Sequence, residues 1–311
     1  MEKNTINLNN VINNIINKKN FSIEEKRIND KCEKSLKEKG IAHNAQFNFE
    51  LRDIVNVQPP YYVGNKKTET FVLKNDAAEL LEKVNYFENN VMDLNVPFAS
   101  AANVAWGGEV ARVLDSNPQL ESKKLKPHRL STYVEYSKAF LNCVDDEVSQ
   151  KVNESIVNAI YNKLFQTIFS DETETYDHPK GLFDGITPSQ IGATETLCEM
   201  AYRMDVNANK NTWIISPKAK NEINQMAVSL RFPLLNNNQL LNSPAICTNL
   251  CQDGYICYLP LDLLIIAQWG VMSLNVDNVS HAWEGKVRVY IDAWFDFDLM
   301  GNDNIAVGYF E

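Results

Sequence analysis

Asp171, Glu172, Glu174, Asp177 and His178 place four carboxylates and an imidazole within eight residues. Such a set offers the donors of a divalent-cation site, and a metal-dependent enzyme using the Asp171–His178 loop is one reading of the chain. The spacing matches no calcium loop, which needs a central glycine and a closing glutamate, so a solvated loop is the plainer reading. Cys247, Cys251 and Cys257 lie close together but form no Cys-x-x-Cys pair and lack partner histidines. Small buried side chains are expected there rather than zinc ligands. His43, His128, His178 and His281 are isolated from one another. The chain has no Gly-x-Ser-x-Gly elbow, no phosphate-cradling glycine loop and no His-Glu-x-x-His. No catalytic, cofactor-binding or metal-ligating residue is assigned, and the protein is not expected to be an enzyme.

The cations suggest contact instead. Lys123, Lys124, Lys126, His128 and Arg129 form a basic patch on an extended segment broken by Pro127. They are expected to meet an acidic neighbouring subunit rather than nucleic acid. Across 311 residues, 40 Asp and Glu outnumber 30 Lys and Arg, giving a net charge of −10. That balance argues against phosphate contacts as the main source of affinity, because those need a dominant basic surface. The N-terminus lacks the apolar core of a secretory signal, and the apolar cluster at Leu261–Ile266 is too short for a bilayer. Six cysteines in a chain of this length do not make a disulfide scaffold. A reducing interior and no membrane partner are expected.

Around these residues the chain divides into zones. Ser22-Ile-Glu-Glu25 is a capping box opening a helix with Ile28, Cys32 and Leu36 at four-residue intervals and Gly40 as its stop. A weaker helix precedes it, and neither has enough apolar residues to form its own core. From Phe71 to Ser137 the chain reads as a long two-stranded excursion. Its tip lies near Gly107-Gly108 and Pro118, and on its return arm Leu130, Thr132, Val134 and Tyr136 share one face. An isolated hairpin is marginal in water, so this one needs cover from another subunit. Val148, Val152, Ile156, Ile160, Leu164 and Ile168 then mark one face of a spine helix of about 24 residues, or about 36 Å. Thr212-Trp-Ile-Ile215 is a strand ending in Ser216 and Pro217, a helix N-cap and first helical residue. Val287 to Leu299 alternates strictly between apolar and polar, and residues 305–310 are expected to complete a hairpin with it. An antiparallel sheet covered by the spine helix makes the fold class α+β.

The order of these pieces carries a resemblance. Lys124-Leu125, Pro127, Leu130, Val134 and Ser137 before the spine, Trp106 and Glu109 upstream, Gly185-Ile186 after it, and Trp213, Ser216 and Pro217 beyond together resemble the major capsid proteins of tailed phages with the Hong Kong 97-type fold. The resemblance covers about residues 70–311. It implies an N-terminal helical segment over 1–45, expected to be retained, an N-arm over 46–75 and an extension-loop hairpin over 76–137. It further implies a peripheral domain from 138–205 and 268–311, and an axial domain over 206–267. Trp106, Glu109, Lys123, Lys124, Lys126 and Arg129 are then expected at subunit interfaces. The implied function is a shell of hexamers and pentamers enclosing double-stranded DNA, assembled in the host bacterial cytoplasm. Its partners would be other copies, a portal, and decoration or scaffolding proteins, with DNA touched only non-specifically. An encapsulin-like shell around a cargo enzyme is the alternative with the same fold.

Overall fold

The computed structural model describes residues 8–38, 45–49, 76–90, 94–99, 120–138, 146–204, 211–301 and 305–310. Helices α1 (Leu8–Ile16) and α2 (Ile23–Glu38) come first. The capping box forms as its residues dictate: the Glu25 N–H donates to Ser22 Oγ at 3.2 Å, and the Ser22 N–H donates to the Glu25 carboxylate at 2.7 Å. Then follow β1 (Phe47–Phe49), α3 (Asp76–Lys83), β2 (Asn85–Asn90), β3 (Leu94–Ala99), β4 (Leu120–Leu125) and β5 (His128–Ser137). The spine helix α4 (Asp146–Ile168) has 23 residues, about 35 Å of axis. After it come β6 (Ser189–Gln190), α5 (Thr194–Arg203), β7 (Asn211–Ile215) and α6 (Pro217–Leu230). Strands β8 (Leu235–Asn236), β9 (Gln239–Leu240) and β10 (Ser243–Cys247) curl through Asn237-Asn238 and Leu241-Asn242. All four turn residues have positive φ, as tight two-residue hairpin turns require. The last strands are β11 (Tyr255–Pro260), β12 (Leu264–Asp277), β13 (Lys286–Leu299) and β14 (Ala306–Tyr309).

A five-stranded sheet carries the first core. Its order is β1 and β2 together on one edge of β12, then β13, then β5. Pairing is antiparallel except for β2, which runs parallel to β12. Both β1 and β2 fit on one edge because β12 is long and irregular: its register shifts between Trp269 and Ser273, around Gly270 at φ +63. On β13 the row Val287, Val289, Ile291, Ala293, Phe295, Phe297 and Leu299 is buried, as the alternation demands. The spine contributes Ile156, Ile160, Leu164 and Ile168 to the same core, joined by Tyr161 and Phe165. Val148 and Val152 lie in α4, with their side chains outside the described set. Helices α1 and α2 close this core with Val11, Ile12, Ile28, Cys32 and Leu36, so the surface they require is the chain's own body.

The seven-stranded sheet has the order β6-β14-β11-β7-β10-β9-β8. Its central strands are buried on both faces. Ile214, Ile246, Cys257, Leu259 and Val307 face the first core; Trp213, Ile215, Ala245, Ile256 and Tyr258 face a second, shared with Leu197 and Met200 of α5 and Ala219 and Ile223 of α6. Strands covered on both sides read as unbroken apolar runs, which is how Thr212–Ile215 reads.

Three expectations change. Residues 305–310 do not return along β13: β14 pairs antiparallel with β11 and parallel with β6, in the other sheet. Residues 191–204, expected with the peripheral domain, contribute Ile191, Leu197, Met200 and Met204 to the second core, while β12 begins at Leu264, inside the expected axial span. Within the expected 76–137 excursion, β2 and β5 belong to the five-stranded sheet and α3 buries Ala77 and Leu80 in the first core. The described stretch that forms a separate two-stranded ribbon is β3–β4.

Candidate assembly surface

The ribbon is rooted on the sheet face opposite the first core. Leu94, Val96 and Leu125 pack on Ile265, Ala267, Trp269 and Met300 there. The crossing from β4 to β5 at Lys126-Pro127 is then tied down by charge. Lys123 Nζ lies 2.8 Å from Asp298, the Lys126 N–H donates to the Asp296 carboxylate at 2.8 Å, and Lys126 Nζ reaches Glu174 at 3.2 Å. Arg129 donates to Asp292 from Nε at 3.0 Å and from Nη2 at 2.5 Å. A groove of about 360 Å³ runs between this root, the end of β13 and the loop at residues 180–186.

Two titratable groups line the groove and are buried. Burial pushes the Asp296 carboxyl up to about 6, Asp298 and Glu174 adding to the rise and the N–H groups of Lys126 and Phe297 opposing it. His128 is pulled down, chiefly by burial and against the pull of Glu174. Beyond the root, the outer sheet face carries Tyr133 and Tyr290 with ring centres 6.1 Å apart, Arg288 lying 4.7 Å over the Tyr133 ring and paired with Glu135. Tyr133 and Trp294 are exposed there.

Lys123, Lys126 and Arg129, singled out from the sequence, thus each find an acid within their own chain. Lys124 is exposed on β4. Trp106 and Glu109 lie outside the described residues. Sequence reasoning missed Asp292, Asp296, Asp298 and Glu174 as the acids that hold the ribbon. The available signal was the run of aspartates on the polar row of β13, facing the same side as the basic patch.

The Asp171–His178 loop gathers no metal site. His178 Nε2 pairs with Glu172 at 2.5 Å while Asp171, Glu174 and Asp177 are exposed. Among the described residues no three His, Cys, Asp or Glu side chains converge as a cation requires. Cys251 and Cys257 are buried, and burial, together with the hydrogen bond the Cys257 thiol donates to Cys251, pushes the Cys257 thiol well up, away from the thiolate a metal needs. The Gly-Leu-Phe-Asp-Gly-Ile segment instead clasps the end of the spine. The Leu182 N–H donates to the Ile168 carbonyl and the Phe183 N–H to that of Ser170. A Cβ on Gly181 would lie 2.3 Å from the Ser170 oxygen, so only glycine allows this approach. At the other signposted step, Ser216 Oγ accepts from the Ala219 N–H at 3.3 Å, with Pro217 opening α6. Buried Trp213 stacks on Tyr258, ring centres 4.3 Å apart.

A spine helix on a mixed sheet, a second sheet whose central strands are buried on both faces and a ribbon rooted by ion pairs define a shell-building subunit with the Hong Kong 97-type fold. The chain belongs to the phage capsid family, whose pattern matches residues 80–310. It is a structural capsid protein, a component of the virion. Among solved structures it is similar to the capsid of a native GTA particle, at 15% identity and a TM-score of 0.61, covering 80% of this chain and 95% of that one. It is similar also to a protein of Mycobacterium phage Adephagia, at 12% identity and a TM-score of 0.59, covering 81% and 95%. A third is a chain from the procapsid of satellite phage P4 with its size determination protein, at 10% identity and 0.53, covering 76% and 96%. No protein of curated function matches the sequence. Among the described residues no helix is long and apolar enough to cross a membrane.

Proposed function

We propose that this chain is the major capsid protein of a tailed phage or a related particle, assembling through hexamers and pentamers into an icosahedral shell around double-stranded DNA. The observation that carries this reading is the β3–β4 ribbon. Two strands alone are marginal in water, and this pair is held to its own chain through Leu94, Val96, Leu125 and ion pairs at its root. A neighbouring copy lying under the ribbon supplies the remaining cover, and heterologous contacts of that kind close into rings. In this reading the seven-stranded sheet lies toward the capsomer axis and the five-stranded sheet toward its periphery. Of the arm expected over 46–75, Phe47–Phe49 pair within the chain as β1 and the part beyond them grips a neighbour, and the N-terminal helices are retained because they complete the first core. The protein acts as a building block without catalysis. A chain of net charge −10 holds packaged DNA loosely, by contacts that ignore sequence. Assembly takes place in the host cytoplasm, with a portal and decoration or scaffolding proteins as further partners.

Expression of the protein alone followed by negative-stain electron microscopy tests this. Hollow polyhedra, tubes or free capsomers are the expected outcome. A monodisperse monomer at high concentration would refute it.

A further inference from the structure

The lobe built on the seven-stranded sheet exposes two unlike surfaces at opposite edges. At one edge, α5 rests on β14 and its outer side carries Glu195, Cys198, Glu199 and Tyr202, at i, i+3, i+4 and i+7 of one helical face. Tyr202 is 86% exposed. At the other edge, beside β8, the end of α6 projects as six consecutive exposed residues, Val228 to Pro233. Val228 is 78%, Leu230 52% and Phe232 67% exposed, three apolar side chains in one short projection.

This projection ends in a hydrogen-bonded cap. The Arg231 N–H donates to the Val228 carbonyl and the Phe232 N–H to that of Ala227, the double closure that ends a helix in a left-handed residue. Here that residue is Arg231 at φ 56, where glycine is the usual occupant. A strained, non-glycine cap holds an arginine and a phenylalanine out from the body. Neither Arg231 nor Glu195 nor Glu199 makes an ion pair among the described residues. From β14 to β8 there are five strand spacings, roughly 24 Å, so one chain cannot bring its own two surfaces together.

We infer that the α6 knuckle of one copy docks on the α5 face of the next, Phe232 and Leu230 against Tyr202 and Arg231 between Glu195 and Glu199. The occupant is a second copy of this chain, chosen by charge complementarity and by the placement of the halves on opposite edges of one sheet. Unlike surfaces on opposite edges repeat head to tail, the contact that closes into a ring. This pairing rests on the capsid-assembly reading above and names its contact.

The test compares wild type, Phe232→Ser, Arg231→Glu, Glu195→Lys/Glu199→Lys, and the variant combining Arg231→Glu with both lysines, by sedimentation and electron microscopy. All substituted side chains except Arg231 are free of backbone strain, and unchanged melting temperatures of the unassembled proteins establish that they fold. Phe232→Ser, Arg231→Glu and the two-lysine variant should each raise the concentration needed for assembly by tenfold or more, and the combined charge swap should recover most of that loss. Wild-type assembly accompanied by equal assembly of Phe232→Ser and Arg231→Glu, or by no recovery in the swap, overturns the pairing while leaving the capsid reading intact. A wild-type chain that stays monomeric overturns both.

Discussion

Asp296 offers a measurement of how tightly the ribbon root is sealed. Its carboxyl is raised from the ordinary 3.8 to about 6 because burial outweighs the two N–H groups that favour its charge. A group whose folded pKa lies above its unfolded value contributes stability that is fully present below the unfolded pKa and lost as pH rises through the folded one. From about pH 7.5 to about pH 4.5 that linkage restores about 2 kcal/mol to the folded state. Asp296→Asn removes the titration. It also turns an amide donor toward one of two N–H groups, from Lys126 and Phe297, that the carboxylate accepts. That costs about 1–3 kcal/mol at every pH. The difference in unfolding free energy between wild type and Asp296→Asn should therefore shift in favour of wild type by about 2 kcal/mol as pH falls across that interval. His128, lowered by burial, is lost in the opposite direction on acidification, but it is present in both proteins and cancels. Urea melts of unassembled protein, at matched ionic strength, read the difference directly. A difference that is flat with pH, or that moves toward the variant on acidification, would show that Asp296 is hydrated and the root open.

Leu36→Ala should cost about 2–4 kcal/mol in thermal or urea melts, since Leu36 is buried beneath the sheet beside Gly270 and alanine preserves helix propensity; an effect near zero would mean that α2 is not docked on its own body. Gly181→Ala should cost about 3 kcal/mol, because its Cβ meets a backbone oxygen. Gly308→Ala should cost less, because the ends of Ile191 and Met200 can give way, and differential scanning calorimetry of the two variants checks the order. Ser216→Ala should lower stability by about 1 kcal/mol through the lost cap of α6, seen as a lower melting temperature without loss of helical circular dichroism.

Features fixed within a few residues were legible in the sequence. The Ser22–Glu25 box, the Ser216-Pro217 step, the four-residue march from Ile156 to Ile168 and the alternation of β13 all formed as read, because each depends on local geometry and one buried face. Partner choice was not legible. Nothing in Ala306–Tyr309 announces that it pairs with Tyr255–Tyr258 rather than with β13, since either strand offers the same backbone groups. In that pairing Gly308 leaves room for Ile191 and Met200, which a side chain there would crowd. The intrachain partners of the basic patch were hidden for a related reason: apart from Glu174, they lie more than a hundred and fifty residues away on β13. On the knuckle, Val228 and Phe232 resemble ordinary apolar residues until their exposure is known.

The middle of the five-stranded sheet consists of residues 264–299, while its edges come from residues 47–49, 85–90 and 128–137. During synthesis the edges emerge first and wait, unpaired, for a centre that is translated much later. Folding that depends on such distant pairings is slow, and the waiting strand edges are prone to sticking. The α5 face in turn rests on β14, which joins its sheet only after β11 has been made. On the pairing inferred above, docking competence therefore arrives late, and unfinished polypeptides are excluded from a growing particle without any separate inspection step. Pulse-labelled chains should become protease-resistant before they sediment with particles, and never afterwards.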